Sequence, residues 1–289
     1  GGEGHVDVGR LVEGGVALEV FAAVTAVPVR RGYVGNRQLE GVWGDLVAVK
    51  AVVEMWGWRE VFSPLARVLF YSRNLFDAAR KSGGNLTVIL TENDLMEFMA
   101  RRTFNPRLTS GILGIEGVYP LENNISVRKS WLTLELKTNQ LTTSIFRTLQ
   151  NVATLFNAGV RIVGLSHFTD TPFSSSAHGQ LSGGLTPLGR LLLQTLERHS
   201  LIIDLAHASP ATIRDVLRLA TRPVLVSHTA LSTCGCPALG RGNTSCLDAA
   251  ARARLLETEL ARRVAGMGGV VGVTFFAAAV APGEGAAGV

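Results

Sequence analysis

The sequence is divided into short, almost continuously apolar runs that alternate with longer amphipathic stretches. Runs such as LIIDLA and GGVVGVTFF have the composition of strands that are covered on both faces. Helical patterns lie between the runs, and strands that alternate with helices form parallel sheets with helical crossovers. The pattern therefore predicts an α/β fold with a parallel sheet.

Seven of these runs are candidate strands. They are Gly4–Val8, Val16–Thr25, Gly111–Glu116, Arg161–His167, Leu201–Leu205, Pro223–Ser227 and Gly269–Phe275. The set is one strand short of a closed barrel of parallel strands. We therefore expect a TIM-like (β/α) barrel that lacks its final βα unit, with a barrel domain over residues 1–276 and a flexible tail over residues 277–289.

Helix boundaries are also marked in the sequence. Thr186 and Ser209 each precede a proline, which is the arrangement of an N-cap followed by the first helical residue. Residues 247–267 predict a longer, arginine-rich helix. Residues 35–98 predict a mostly helical excursion after the second strand, with a small extra hairpin at NLTVILTE.

Five potential metal ligands lie at or just beyond the ends of apolar runs: His5, Asp7, Glu116, His207 and His228. The C-terminal ends of parallel barrel strands open on one face, so ligands that are far apart in the chain can meet there. Two neighbouring cations need two ligand clusters and a carboxylate shared between them. The pattern predicts the centre of a dinuclear zinc hydrolase.

The individual residues differ in how strongly they indicate a metal. His207 and His228 each follow a buried strand and are separated by one helix, so their imidazoles can share an ion. Glu116 closes an apolar strand and needs a cation or an arginine partner, so a structural salt bridge is the alternative. His5 and Asp7 form an H-x-D pair, whose side chains share one side if the segment is a strand.

The other histidines have different settings. His167 ends another candidate strand and could complete the same rim. His199 lies at the end of a helix, where a cation complements the helix dipole, and we interpret it as structural. His178 lies in a serine- and glycine-rich loop and is expected to be solvated.

Bulk properties exclude several classes of protein. Hydrophobic residues make up 47% of the chain and charged residues 18%, as in a globular protein with a sizeable core. The net charge of +5 is spread over scattered arginine pairs without interleaved aromatics, so nucleic acid is not expected as a partner. No signal peptide or transmembrane segment is recognised; the compartment stays open, and a longer parent could carry a membrane anchor.

Three cysteines, Cys234, Cys236 and Cys246, lie within one short stretch of the chain. Their spacing lacks the paired arrangement of a zinc ribbon, and their odd number does not complete a set of disulfides. We interpret them as loop residues, with one local disulfide bridge as the alternative.

Several stretches of the chain together resemble the membrane (renal-type) dipeptidase family, zinc metallopeptidases with a TIM-barrel-like fold. In chain order they are GHVD, LVEGGVALEVFAA, GILGIEG, NAGVRIVGLSHFTDTPF, GLTPLGRLLL, LIIDLAHASPATIRDVL, RPVLVSHTA and GGVVGVTFF. Each motif is loose, but their order and spacing together are specific. The resemblance implies a dipeptide substrate and two zinc ions, and it suggests a homodimer.

The resemblance also implies a ligand set. His5, Asp7 and Glu116 would bind one zinc ion. Glu116 would bridge to a second zinc ion held by His207 and His228.

Two residues outside the ligand set match substrate-binding positions of the family. His167 corresponds to the histidine that contacts the substrate near the scissile carbonyl, where it could donate a hydrogen bond to the oxyanion. Arg241 corresponds, with a shifted spacing, to the arginine that holds the substrate carboxylate. The family's proton-shuttling aspartate on the final strand has no counterpart after Phe276, and Asp170 is the candidate substitute.

The sequence supports three hypotheses about function. The first is a dinuclear zinc dipeptidase in which a metal-bridging hydroxide attacks the peptide carbonyl, with Glu116 and His167 as catalytic residues. The second is a barrel amidohydrolase that acts on another amide or a lactam, because metal ligands alone do not fix the substrate. The third, based on the missing final strand, is a truncated and inactive relative that binds metal without turnover.

Overall fold

A computed structural model of the chain describes residues 6–29, 31–32, 34–37, 39, 41–122, 139–232 and 255–274. The strands in these ranges pair with one another in parallel. They are β1 (Leu18–Val24), β2 (Leu86–Val88), β3 (Thr109–Glu116), β4 (Val160–Gly164), β5 (Ile202–Asp204), β6 (Leu225–Leu231), β7 (Leu255–Leu256) and β8 (Val270–Val273). The predicted α/β class with a parallel sheet is confirmed.

Helices connect most of these strands. They are α1 (Val8–Glu13), α2 (Leu46–Val53), α3 (Trp58–Phe62), α4 (Pro64–Lys81), α5 (Glu92–Phe104), α6 (Asn139–Asn157), α7 (Pro187–Arg198), α8 (Pro210–Leu219) and α9 (Thr258–Gly266), with 3-10 turns at Val42–Gly44 and Tyr119–Leu121. The side chains of Thr186 and Ser209 cap α7 and α8, with proline in the first turn of each helix, so both predicted N-termini are confirmed.

None of the described helices combines the length and the apolar character needed to cross a membrane.

The order of the strands brings the predicted site residues to one edge of the sheet. Neighbours follow the order β1-β3-β4-β5-β6-β7, while β2 also pairs with β3 and β8 with β6. Val24 at the end of β1 lies opposite Glu116 at the end of β3, and Gly164 of β4 lies opposite Asp204 of β5. Because the strands are parallel, their C-terminal ends share this edge.

One apolar core fixes the strands relative to the helices. Leu113 and Val163 from the sheet belong to the same buried cluster as Leu192 of α7, Val216 of α8 and Leu260 of α9. Burial of this apolar surface is the main favourable contribution to folding, and it packs the helices against the sheet.

The predicted strand Gly4–Val8 is wrong over its described part. Val6 and Asp7 belong to no strand, and Val8 begins α1. The physical reason is the Asp7 carboxylate, which accepts a hydrogen bond from the backbone N–H of Arg10 and so acts as an N-cap.

Two strands differ from the predictions. The NLTVILTE segment contributes β2 to the sheet in parallel, with Leu86 opposite Thr109, and the predicted hairpin is wrong. In the arginine-rich segment, Leu255–Leu256 pairs with β6, and the helix begins only at Thr258. In both places, pairing with a distant strand overrides the local pattern. Residues 275–289 lie outside the described residues, so the domain boundary, the tail and the missing final unit stay predictions.

Candidate metal centre

The carboxylate of Glu116 and the imidazoles of His207 and His228 converge at the C-terminal edge of the sheet. Oε1 of Glu116 lies 2.8 Å from Nε2 of His207 and 3.4 Å from Nε2 of His228. The two Nε2 atoms are 3.0 Å apart. Across the described part of the chain, no other group of three or more His, Cys, Asp or Glu side chains brings its ligand atoms within 4.8 Å of one another.

This arrangement fits a zinc ion. Zinc bonds of about 2.0–2.1 Å in tetrahedral geometry place neighbouring ligand atoms about 3.3 Å apart, close to the three separations in the cluster. Two imidazole nitrogens and one carboxylate oxygen are also a ligand set that zinc favours. Three protein ligands leave a fourth position for water or substrate, as in catalytic rather than structural zinc sites.

The chain turns sharply immediately after Glu116. Gly117 has a φ of 85°, in the left-handed region that favours glycine. A Cβ atom at this position would lie 2.7 Å from the ring of Tyr119 and 3.1 Å from Cβ of His167. The glycine therefore allows the strand to end at Glu116 while His167 packs closely behind the turn.

The backbone of His207 is also left-handed, with a φ of 64°. Such a conformation costs a non-glycine residue about 1–3 kcal/mol and persists only where its surroundings enforce it. The backbone N–H of Ala177 donates to the carbonyl of His207 at 2.8 Å, and the hydroxyl of Ser176 lies 3.3 Å from the same oxygen. The loop before α7 thus holds the turn that directs His207 at Glu116.

Charge interactions within the cluster favour an ionised Glu116. Burial by itself would raise the pKa of Glu116, but the neighbouring imidazoles of His207, His228 and His167 hold it well below its usual range. Glu116 is therefore available as an anionic ligand at neutral pH.

His167 lies beside the same cluster, as its position at the end of a predicted strand suggested. Its side chain is buried, and its Nε2 atom is 3.7 Å from Oε1 of Glu116. Burial lowers the pKa of His167 to about 4, against the opposing effect of Glu116. The imidazole is therefore neutral at neutral pH and carries one N–H that can donate a hydrogen bond.

The structure does not bring Asp7 to this cluster. Its side chain is 51% exposed, caps α1 and pairs with Arg10 at 3.0 Å. Its role as a metal ligand stays a prediction. His5 and Arg241 lie outside the described residues, as do all three cysteines.

Asp170 has a structural role that argues against its prediction as a proton donor. One carboxylate oxygen accepts the backbone N–H of Ser176, and the other accepts those of Gln180 and Leu181. Both oxygens are therefore engaged as acceptors that hold the loop between β4 and α7.

Two residues near the centre were not identified from the sequence. His178, predicted to be solvated, is only 1% exposed, and its ring centroid lies 4.9 Å from that of His207. Its loop has no periodicity that would have indicated burial. Asp204 did carry a signal, because it is a charged residue within an otherwise apolar strand. By contrast, His199 lies at the C-cap of α7, as predicted.

The family model of the membrane dipeptidases (peptidase family M19) matches residues 142–287. This range includes His167, His207 and His228, while Glu116 precedes it. The matched region comprises about half of the chain.

Solved structures show the same fold over almost the whole chain. Dipeptidase AC, a metallopeptidase of family M19, is 19% identical, with 94% of this chain and 63% of that chain covered and a TM-score of 0.58. A metallopeptidase from Rhodobacter sphaeroides, liganded with a phosphinate mimic of the dipeptide L-Ala-D-Ala, is 20% identical. The match covers 94% of this chain and 65% of that chain, with a TM-score of 0.59.

A third match is the probable dipeptidase PvdM from Pseudomonas aeruginosa, which is 19% identical, with 92% of this chain and 61% of that chain covered and a TM-score of 0.52. The chain therefore spans less than two thirds of the length of these structures.

Proposed function

The chain belongs to the membrane dipeptidase family, peptidase family M19, and from this premise we propose that it hydrolyses the peptide bond of dipeptides at a dinuclear zinc centre. The observation that carries the proposal is the convergence of Glu116, His207 and His228, whose ligand atoms lie 2.8–3.4 Å apart. A structural salt bridge would not need two imidazole nitrogens directed at one carboxylate oxygen.

The residues divide into two proposed ligand groups. Glu116, His207 and His228 would hold one zinc ion. The imidazole contacts described above are made by Oε1 of Glu116, and Oε2 is the oxygen that a second cation would use. We propose His5 and Asp7 as the further ligands of that second ion, with Glu116 as the bridge.

When bound, the zinc pair supplies a Lewis acid that polarises the peptide carbonyl and lowers the pKa of a shared water, which provides the nucleophile. His167 would donate its N–H to the oxygen of the attacked carbonyl as negative charge develops there. Its burial beside Glu116 supports this role, because an N–H held in a dry site needs no reorganisation during the reaction.

Recognition of the substrate carboxylate would require a cation near the centre. By resemblance we propose Arg241. Among the described residues, the Arg31 guanidinium also lies close, with Cζ 5.7 Å from the centroid of the Phe168 ring. That ring in turn lies 4.3 Å from the ring of His167. Arg31 is therefore a second candidate for contact with a dipeptide carboxylate.

We further propose that the described sheet is part of a TIM-like (β/α) barrel and that the enzyme is a homodimer. The parallel pairing and the fold of the matched structures support the barrel. Sedimentation velocity on the purified chain tests the dimer.

The function is tested by zinc content and hydrolysis measured on the same purified chain. We expect about two zinc ions per chain and cleavage of a dipeptide panel that includes L-Ala-D-Ala, the dipeptide mimicked in the Rhodobacter structure. The Glu116→Gln variant should lose both properties. Glu97→Gln, on the exposed face of α5, is the matched control and should keep both.

Each alternative gives a different result. A chain that binds zinc but cleaves no substrate would be a non-catalytic relative. Cleavage of a lactam without cleavage of dipeptides would indicate another amidohydrolase. Equal zinc content in the wild type and in Glu116→Gln would contradict the proposed centre.

A further inference from the structure

A chain of hydrogen bonds leads from the end of β5 to the imidazole of His228. The hydroxyl of Ser227 donates to Oδ2 of Asp204, and the same hydroxyl oxygen lies 2.8 Å from Nδ1 of His228. Oδ1 of Asp204 accepts the backbone N–H groups of Ala206 at 3.0 Å and Ser227 at 2.9 Å. The Asp204 residue is only 7% exposed, so these contacts hold its carboxylate in a fixed position.

The donors and acceptors in this chain determine where the imidazole proton lies. Burial raises the pKa of Asp204, while the hydrogen bonds from the Ser227 hydroxyl and from the backbone N–H groups of Ala206 and Ser227 favour its carboxylate form. A carboxylate only accepts hydrogen bonds, so the single proton of the Ser227 hydroxyl is directed at Asp204. The hydroxyl oxygen must then accept from His228, which requires a proton on Nδ1. A neutral imidazole protonated at Nδ1 has its lone pair on Nε2.

That lone pair faces the other ligand atoms. Nε2 of His228 lies 3.4 Å from Oε1 of Glu116 and 3.0 Å from Nε2 of His207. Only a deprotonated nitrogen can bind a metal, so the opposite tautomer would have to release a proton from Nε2 or rearrange before binding.

We infer that Asp204 and Ser227 are positioning residues that fix the Nδ1–H tautomer of His228 and so prepare its Nε2 atom to bind zinc. The identity of the metal rests on the proposed function, whereas the tautomer is a property of the metal-free chain. Partners of this kind orient metal-bound histidines and raise the affinity of the site.

A purely structural role for Asp204 can be separated from this one. Its contacts with the backbone use Oδ1, while the connection to His228 uses Oδ2 and the Ser227 hydroxyl. Ser227→Ala therefore removes the connection and leaves both backbone hydrogen bonds in place. Ser227→Thr keeps a hydroxyl on the same strand and serves as the conservative variant.

The test is ¹⁵N NMR of the histidine side chains in the metal-free chain of residues 1–289, combined with a zinc titration. In the wild type we expect His228 to be protonated on Nδ1. In Ser227→Ala the population with Nε2 protonated should increase, and the Kd for zinc should rise by about 10–100-fold. Ser227→Thr should retain the wild-type tautomer and affinity.

Ser110→Ala is the matched control. This variant also loses a strand serine hydroxyl, one that is hydrogen-bonded to the Ala17 carbonyl near the start of β3. Its His228 tautomer and zinc affinity should remain those of the wild type.

The wild-type spectrum alone can overturn the inference, so the test does not depend on whether a variant folds. If His228 of the wild type is protonated on Nε2, the hydrogen bonds from Asp204 through Ser227 do not determine its tautomer. An unchanged tautomer and zinc affinity in Ser227→Ala would equally refute it. If the wild type binds no zinc, the proposed function fails, while the tautomer measurement still decides the role of Asp204 and Ser227.

Discussion

The Nε2 atom of His207 lies 2.8 Å from the Oε1 atom of Glu116, although Glu116 ends β3, His207 follows β5, and β4 separates these two strands in the sheet. The contact depends on two tight turns, one allowed by Gly117 and one adopted by His207 itself with a left-handed backbone. The positions of the ligand atoms are therefore set by the sheet together with the turns that follow its strands.

Zinc should stabilise the folded chain through Glu116. A ligand that binds only the folded state adds about 2.7 kcal/mol when its free concentration is about 100 times its Kd. We expect zinc to raise the Tm of the metal-free wild type and to have little effect on Glu116→Gln. The measurement is calorimetry with and without zinc. Glu97→Gln controls for the loss of a carboxylate. If zinc raises the Tm of Glu116→Gln as much as that of the wild type, Glu116 is not a zinc ligand.

Asp170 should contribute to stability rather than to proton transfer. Removing its carboxylate in Asp170→Ala leaves the backbone N–H groups of Ser176, Gln180 and Leu181 without their acceptor. The Ser176 donor is buried, and an unsatisfied buried donor costs about 1–3 kcal/mol, so we expect the free energy of unfolding in urea to fall by about that amount.

The control for Asp170 is Asp77→Ala, which removes an exposed carboxylate paired with Arg80. Such a pair contributes about 0–1 kcal/mol. A variant at position 170 with unchanged stability and a reduced kcat would instead support proton transfer.

Arg67 should be essential for the packing of the helical excursion. The residue is 2% exposed, its guanidinium pairs with Asp45, and it donates to the carbonyl of Glu60 at 2.6 Å. Arg67→Met leaves the buried Asp45 carboxylate without its cation, which typically costs about 3–5 kcal/mol. Arg73→Met, which removes an exposed arginine paired with Glu60, should cost no more than about 1 kcal/mol. Similar unfolding midpoints for the two variants would contradict this difference.

Glu122 should make stability depend on pH. Its Oε1 atom is buried, and burial raises the pKa of Glu122 to about 8. In the unfolded chain the pKa is about 4.3, so between these values the folded state holds a proton that the unfolded state has lost. The folded state is therefore favoured at low pH. Its stability should fall by up to about 1.4 kcal/mol per pH unit as the pH rises towards 8.

Glu122→Gln removes this contribution because its side chain does not ionise. The free energy of unfolding of the variant, minus that of the wild type, should increase between about pH 5 and pH 8 and then level off. Urea titrations at several pH values measure it, and Glu97→Gln should follow the wild type. A difference that stays constant or decreases would show that Glu122 is not buried as a neutral acid.

Much of the sheet was predictable because its strands are marked locally. The six candidate strands after the first each overlap a described strand. For β3 and β4 the reason is burial on both faces, which requires apolar residues along most of the strand. β1 and β8 are only partly buried, and their apolar, β-branched composition was the signal. The helix starts at Thr186 and Ser209 were equally clear, because a capping side chain followed by proline satisfies the first backbone donors locally.

Other features depended on partners that the local sequence does not show. The H-x-D segment was expected to be a strand, but Asp7 caps a helix. His178 was expected in solvent, but packing beside His207 and Phe168 buries it. A loop histidine has the same sequence surroundings whether the loop folds over a site or away from it.

The class of fold and the chemical types of the ligands follow from the sequence, because strand burial, helix capping and the metal preferences of imidazole and carboxylate are properties of short segments. The folded chain was needed to see that Glu116, His207 and His228 converge, and that Asp204 reaches His228 through Ser227. Those contacts join residues on different strands. Their distances are set by strand order, register and turn geometry, which arise when the whole core packs.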